Sequence, residues 1–188
     1  ALPLLTKIQT RVPVQALILV PTRELALQVT NEINKFSKYI GIRTISIYGG
    51  QSIAIQQEHL RKGVQIVVAT PGRLIDHLKR GSIQLDNVKF VVLDEADRML
   101  DMGFIEDIKF ILFYVNEDRQ TCLFSATMPA EIINLAQEYM HDYLEIRLNK
   151  DELSLDTIEQ SYLIVKENEK FKHLCTLIQN RNKKQQTI

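Results

Sequence analysis

Residues 90–104 read FVVLDEADRMLDMGF. An uncharged run, Phe90 to Leu93, enters three carboxylates, Asp94, Glu95 and Asp97, within four positions. Unpaired charge is costly to bury, so a strand built on this run has to end at Asp94 and deliver the acids to its carboxyl end. There the acids are either solvated at a helix start or matched by something cationic.

The rest of the chain repeats the pattern. Apolar runs rich in β-branched residues recur at QALILV (15–20), TISIYG (44–49), VQIVVA (64–69), TCLFSA (121–126) and LEIRL (144–148). Their hydrophobicity is nearly continuous, as in strands covered on both faces. Between them lie helical patterns. Leu25, Val29, Ile33 and Phe36 recur at helical spacing before Gly41; SIAIQQEHLRKG stops at Gly63; GRLIDHLKRG stops at Gly81. GFIEDIKFILFYV and PAEIINLAQEYM complete the set, with Pro129 suited to a first helical position. Strand–helix–strand alternation predicts an α/β fold, a mostly parallel sheet with helices on both faces. Such sheets carry their sites at the carboxyl ends of the strands.

The composition is that of a soluble globular chain: 188 residues, 45% apolar, 24% charged, formal net charge +0. A neutral total leaves room for a local basic face. No run approaches the roughly 18 apolar residues of a membrane span. Cys122 and Cys175 are the only cysteines, too few and too far apart for a disulfide framework or a CxxC metal site. The expected setting is reduced and cytoplasmic, without a membrane. ALPLL resembles a helix interior and KKQQTI stops as an apolar run begins, so both ends read as cuts. The predicted organisation is a domain over 1–149, a polar, acidic linker over 150–157 and the opening of a second domain over 158–188. In that tail IEQSYLIV reads as a strand. NEKFKHLCTLIQN reads as an amphipathic helix with Phe171, Leu174 and Ile178 on one side.

Polar clusters follow five of the strands: PTRELALQ (21–28), Gly49–Gly50–Gln51, Thr70–Pro71–Gly72–Arg73, Asp94–Glu95–Ala96–Asp97 and Ser125–Ala126–Thr127. Asp94 at a strand tip suits Mg²⁺, held through water, and Glu95 could position or deprotonate an attacking water. The plainer reading makes Asp94 a helix cap and gives Glu95 and Asp97 to the helix dipole. The SAT hydroxyls can bond a nearby carboxylate, Asp97 being the obvious partner; equally, Thr127 can cap the helix that opens at Pro129. In PTRE and TPGR a hydroxyl, a Pro and an Arg stand ahead of a helix. Thr22, Arg23, Thr70 and Arg73, with the helix-start amides, suit phosphates, and Gly49 and Gly50 permit close backbone approach. Three such loops on one rim suit a nucleic-acid backbone read without base contacts; individually they are also ordinary turn residues. His59, His77, His141 and His173 have no metal-ligand spacing and read as surface or boundary residues. NRNKKQQ reads as a solvated loop.

The ordered set PTRELALQ, GG, TPGR, DEAD and SAT resembles the DEAD-box family of ATP-dependent RNA helicases. The resemblance implies a RecA-like three-layer domain followed by the start of a second one, with ATP, Mg²⁺ and single-stranded RNA at the strand tips. It assigns Asp94 and Glu95 to Mg²⁺, ATP and the hydrolytic water. Asp97, bonded to Ser125 and Thr127, would link the ATP state to RNA. Pro21, Thr22, Arg23, Gly50, Thr70, Pro71, Gly72 and Arg73 would hold the RNA backbone. No G-x-x-x-x-G-K-[ST] occurs in the 188 residues, so the phosphate cradle of the family is not among them. The expectation is an excised middle of a helicase that does not hydrolyse ATP by itself. Rival readings are an RNA-binding scaffold without ATP turnover and a DNA-directed helicase of the same superfamily.

Overall fold

Five strands pair in the order β2-β3-β1-β4-β5, all parallel. The computed structural model describes residues 1–148 and 161–180. The strands are β1 Ala16–Leu19, β2 Thr44–Ile47, β3 Ile66–Ala69, β4 Phe90–Leu93 and β5 Gln120–Leu123. Alternating with them are helices α1 Leu2–Leu5, α2 Arg23–Ser37, α3 Ile53–Arg61, α4 Pro71–Lys79, α5 Ala96–Asp101, α6 Ile105–Phe113 and α7 Ala130–Tyr139.

Successive strand residues point to opposite faces, which sorts the apolar side chains into two layers. Leu17, Leu19, Val67, Ala69, Val91 and Leu93 face α4 to α7, meeting Leu74, Met99, Ile108, Ile111, Leu112 and Leu135. Ala16, Ile18, Val20, Ile66 and Val68 face α1 and α2, meeting Leu5, Ala26 and Ile33. Each leucine so buried stabilises the fold by about 1.5–3 kcal/mol relative to exposure. β1 and β3 are buried throughout, while β2 and β4 alternate buried and half-buried residues and β5 is the least covered. Continuous burial is therefore a property of the central strands. The helix–sheet–helix layering is the one the alternation predicts.

Register fixes where the loops emerge. Leu19 pairs with Ala69 and Leu93, Ala69 with Ile47, and Leu93 with Leu123. The last residues of all five strands thus lie in one row, and the five polar clusters follow directly from it.

The chain divides into two units, Ala1–Tyr143 and Leu144–Ile188. Within the second, the described regular structure is a 3-10 turn, Glu167–Glu169, and α8, Lys170–Asn180. Two sequence expectations fail here. LEIRL is not a strand: Leu144 and Leu148 are 82% and 91% exposed and no ladder forms. Residues 161–165, from the predicted strand IEQSYLIV, are also irregular, with Tyr162 and Ile164 exposed. A strand needs a partner to satisfy its backbone groups, and the described residues of this unit include no other strand. Residues 158–160 and the expected linker 150–157 lie outside the described residues. Among the described residues no helix is long and apolar enough to cross a membrane.

Candidate functional site

The strand order divides the rim. On one half stand the loops after β2, β3 and β1, carrying Gly50, Thr70–Arg73 and Pro21–Arg23; on the other stand those after β4 and β5, carrying Asp94–Asp97 and Ser125–Thr127.

On the acidic half, the backbone leaves β4 with Asp94 N–H bonded to Leu19 O (3.0 Å) and turns sharply at Glu95, whose φ and ψ are 52° and 51°. A non-glycine residue in the left-handed region stores strain. The turn lets Ala96 N–H reach Phe124 O (3.0 Å), so α5 starts against the end of β5. Asp94 Oδ1 accepts the Glu95 N–H at 3.1 Å. Partial burial pushes the Asp94 carboxyl above its usual range; that hydrogen bond opposes the rise and the Glu95 charge adds to it. Glu95 Oε2 meets Arg98 Nη1 at 3.2 Å across exposed surface, a pair too solvated to fix either side chain.

Asp97 ties the two loops together. Its Oδ2 accepts from Thr127 N–H (2.9 Å) and Thr127 Oγ1 (2.8 Å), while its own N–H donates to Ser125 Oγ (3.0 Å). Desolvation pushes this carboxyl up, but hydrogen bonds from Thr127, Ser125 and the Arg98 backbone prevail, so its pKa lies below the usual range. Thr127 is thus committed to Asp97. The predicted pairing of Asp97 with both hydroxyl residues is present, with Ser125 meeting the backbone N–H. The capping alternatives do not hold: the residue before α5 is Glu95, without a side-chain cap, and Pro129 precedes α7 rather than beginning it.

On the other half, Thr22 Oγ1 accepts from Leu25 N–H (3.3 Å) and caps α2. Thr70 makes no such cap bond at α4, where Pro71 opens the helix. Pro21 and Pro71 are buried, Thr22, Thr70 and Arg73 half-buried, and Arg23, Gly50 and Gly72 exposed. The Arg23 guanidinium lies 4.9 Å over the Tyr48 ring. A Cβ added to Gly50 would sit 3.7 Å from an Arg23 Nη, and φ there is +84°, a conformation suited to glycine. Arg23 and Gly50 therefore form one surface although β3 separates their strands.

Sequence reasoning missed a residue beneath this surface. His77, read as a surface or boundary histidine, is fully buried. Leu74, three positions earlier, marks the helical face that α4 turns to the core, and His77 falls on it. His59, His141 and His173 are exposed, as that reading expects.

The acidic half fits a hard divalent cation held largely through water. Asp94 is a half-buried carboxylate that, among the described residues, no ion pair holds. Among the described residues no three His, Cys, Asp or Glu side chains come together. A cation here would take one or two ligands from this chain, the habit of Mg²⁺ arriving with phosphates.

A family model described as DEAD/DEAH box helicase matches residues 1–135. The protein named "Probable ATP-dependent RNA helicase" of Methanocaldococcus jannaschii is 47% identical over 183 residues, covering 96% of this chain and 48% of the relative. The DEAD-box ATP-dependent RNA helicase CshA of Bacillus cereus is 48% identical over 178 residues, covering 94% and 34%. This chain thus spans about a third to a half of the length of these relatives. Among solved structures, a DEAD box protein from the hyperthermophile Methanococcus jannaschii superposes with TM-score 0.76 at 48% identity, covering 95% of this chain and 48% of that one. The yeast DEAD-box splicing factor Prp28 gives 0.70 at 38% identity, covering 74% and 35%. The parallel sheet between two helical layers is the RecA-like α/β fold of those helicase domains. With its DEAD, SAT, TPGR and PTRE segments gathered on one rim, the chain belongs to the DEAD/DEAH box helicase family.

Proposed function

We propose that this chain forms the catalytic and RNA-gripping rim of an ATP-dependent RNA helicase that works in the cytoplasm and closes on a second RecA-like domain of the same protein. The observation that carries the reading is the strand order, which gives the acids one half of the rim and the hydroxyl, glycine and arginine loops the other. The names of the relatives support the same activity.

ATP with Mg²⁺ supplies the phosphoryl group and the charge-neutralising cation when bound. Asp94 would hold the cation through its water shell, accepting hydrogen bonds from it. Its raised proton affinity reflects a desolvated anion that a cation would relieve. Glu95, only loosely held by Arg98, positions the attacking water and takes its proton. Asp97 holds the loop after β4 to the one after β5 through Thr127 and Ser125, so a shift at the nucleotide is passed along the rim. Pro21, Thr22, Arg23, Gly50 and Thr70–Arg73 receive the sugar-phosphate backbone of single-stranded RNA without reading bases. By themselves the 188 residues, which include no G-x-x-x-x-G-K-[ST], are expected to grip RNA without turning over ATP.

The test is RNA-stimulated ATP hydrolysis by the full-length helicase that carries this chain. Glu95→Gln should lower turnover by about 10²–10⁴ while RNA affinity holds. Arg73→Ala should weaken RNA at every sequence and flatten the salt dependence. RNA binding with no stimulated turnover in the wild type would instead favour a scaffold, and equal binding of DNA and RNA oligomers would favour a DNA-directed enzyme.

A further inference from the structure

A buried polar pair lies under the rim and ties the Gly49–Gly50 loop to α4, the helix that the Thr70–Arg73 loop opens; Arg23 adjoins it only through the Tyr48 ring. His77 projects from α4, the helix that Pro71, Gly72 and Arg73 begin. Its Nε2 lies 2.9 Å from Gln56 Oε1 on α3, and both side chains are buried. Gln56 Nε2 donates to the Tyr48 carbonyl (3.0 Å) and to Gln51 Oε1 (2.9 Å). Those two acceptors bracket Gly49 and Gly50. The Tyr48 ring in turn carries the Arg23 guanidinium.

The hydrogen-bond directions are determined. The Tyr48 carbonyl can only accept, so the Gln56 amide nitrogen faces it and Gln56 Oε1 faces His77. His77 Nε2 must carry the proton, because the other tautomer would set two lone pairs against each other. On the far side of the ring Nδ1 lies 2.8 Å from Ser82 Oγ. Ser82 is placed there by the α4 terminus: Gly81 N–H bonds to Leu78 O (2.9 Å) and Ser82 N–H to His77 O (3.0 Å), with Gly81 at φ +65°. Ser82 has one hydroxyl proton: with Nε2 protonated that proton goes to Nδ1, so the ring is held at both nitrogens and the 3.1 Å approach of Ser82 Oγ to the His77 carbonyl is not a second donation.

We propose that His77, as its Nε2–H tautomer, is a positioning residue: with Gln56 it sets the Gly49–Gly50 loop relative to the start of α4, and so fixes the spacing of the phosphate-gripping loops. The inference rests on the RNA-gripping role proposed above. It explains why a polar pair stands where apolar side chains would pack as well: these groups give direction, which packing alone does not.

The experiment is an amide NMR titration of the 188-residue chain with a single-stranded oligouridylate, which registers weak binding. His77→Leu should leave the β1 and β3 amides in place, shift those of Gly50 and Gln51, and raise Kd about fivefold or more, the order expected when a buried hydrogen bond orienting a loop is lost. His77→Gln, whose amide can still donate to Gln56 Oε1, should recover most of the affinity. Should His77→Leu fail to fold, Gln56→Met provides the second arm, with the same loss expected. In the wild type, imidazole nitrogen resonances should show Nε2 protonated and Nδ1 bare. Wild-type affinity in His77→Leu or in a folded Gln56→Met, or the opposite tautomer, would overturn the inference alone. A wild-type chain that binds no oligouridylate would overturn the RNA reading and this inference with it.

Discussion

Asp97 Oδ2 takes both hydrogen bonds that Thr127 can donate, the N–H at 2.9 Å and the hydroxyl at 2.8 Å, across 30 positions of sequence. The link costs little to make, because Asp97 is already anchored by its backbone N–H to Ser125 Oγ. Thr127→Val keeps the shape and the N–H bond but removes the hydroxyl donor. We expect a stability loss of about 0.5–1.5 kcal/mol by denaturant unfolding. In the full-length helicase, strand separation per ATP consumed should fall while ATP turnover persists. Equal loss of both activities would show that the link serves folding alone.

Glu95 stores backbone strain at the position proposed to orient the attacking water. Its φ of 52° favours glycine, and among the described residues its side chain pairs only with the solvent-screened Arg98. Glu95→Gly should therefore stabilise the chain by about 0.5–1 kcal/mol, the left-handed penalty less the entropy glycine adds to the unfolded chain. ATP turnover in the full-length protein should disappear. A lower melting temperature would show that the turn is held by contacts of the glutamate itself.

How much of this was legible in the sequence depends on how local the cause is. ALIL and IVVA announce strands because burial on both faces leaves no polar position; FVVL shares the uncharged run although its Phe90 and Val92 are only half-buried. LEIRL, with Glu145 and Arg147 between its apolar residues, and SYLIV also read as strands yet form none, since a ladder depends on a partner that the segment itself does not reveal. The Asp97–Thr127 contact could be anticipated from a carboxylate and a hydroxyl at neighbouring strand tips. The strain at Glu95 could not, because glutamate gives no sign of a left-handed turn. His77 was hidden by its neighbours Asp76, Lys79 and Arg80, which make the segment look solvated; only its spacing from Leu74 betrays the buried face.

Thr30 offers a direct test of the α2 layer. It is buried in the helix that covers Ile18, Val20 and Ile66, and among the described residues its Oγ1 has no hydrogen-bond partner. Thr30→Val replaces an unpaired hydroxyl with a methyl of similar volume. Stability should rise by about 1 kcal/mol, read as a higher denaturant midpoint at unchanged slope. A fall would mean that the hydroxyl has a partner, such as a buried water.

Protonation of His77 sets the last expectation. Burial, then the positive charges of Arg73 and Arg80, hold the imidazole below its ordinary value, and Asp76 only partly offsets them. The unfolded chain therefore takes up the proton first as pH falls, at about 6.5. The stability contributed by keeping the ring neutral is complete above that pH and drains away below it, until the folded protein is protonated as well. His77→Gln has no such proton to take up, while His59, His141 and His173 remain in both proteins and cancel in the comparison. Unfolding free energies measured across this range should fall more steeply below about pH 6.5 for the wild type than for His77→Gln. Parallel curves would mean that the buried ring is protonated as readily as a free histidine, and that its surroundings do not hold it neutral.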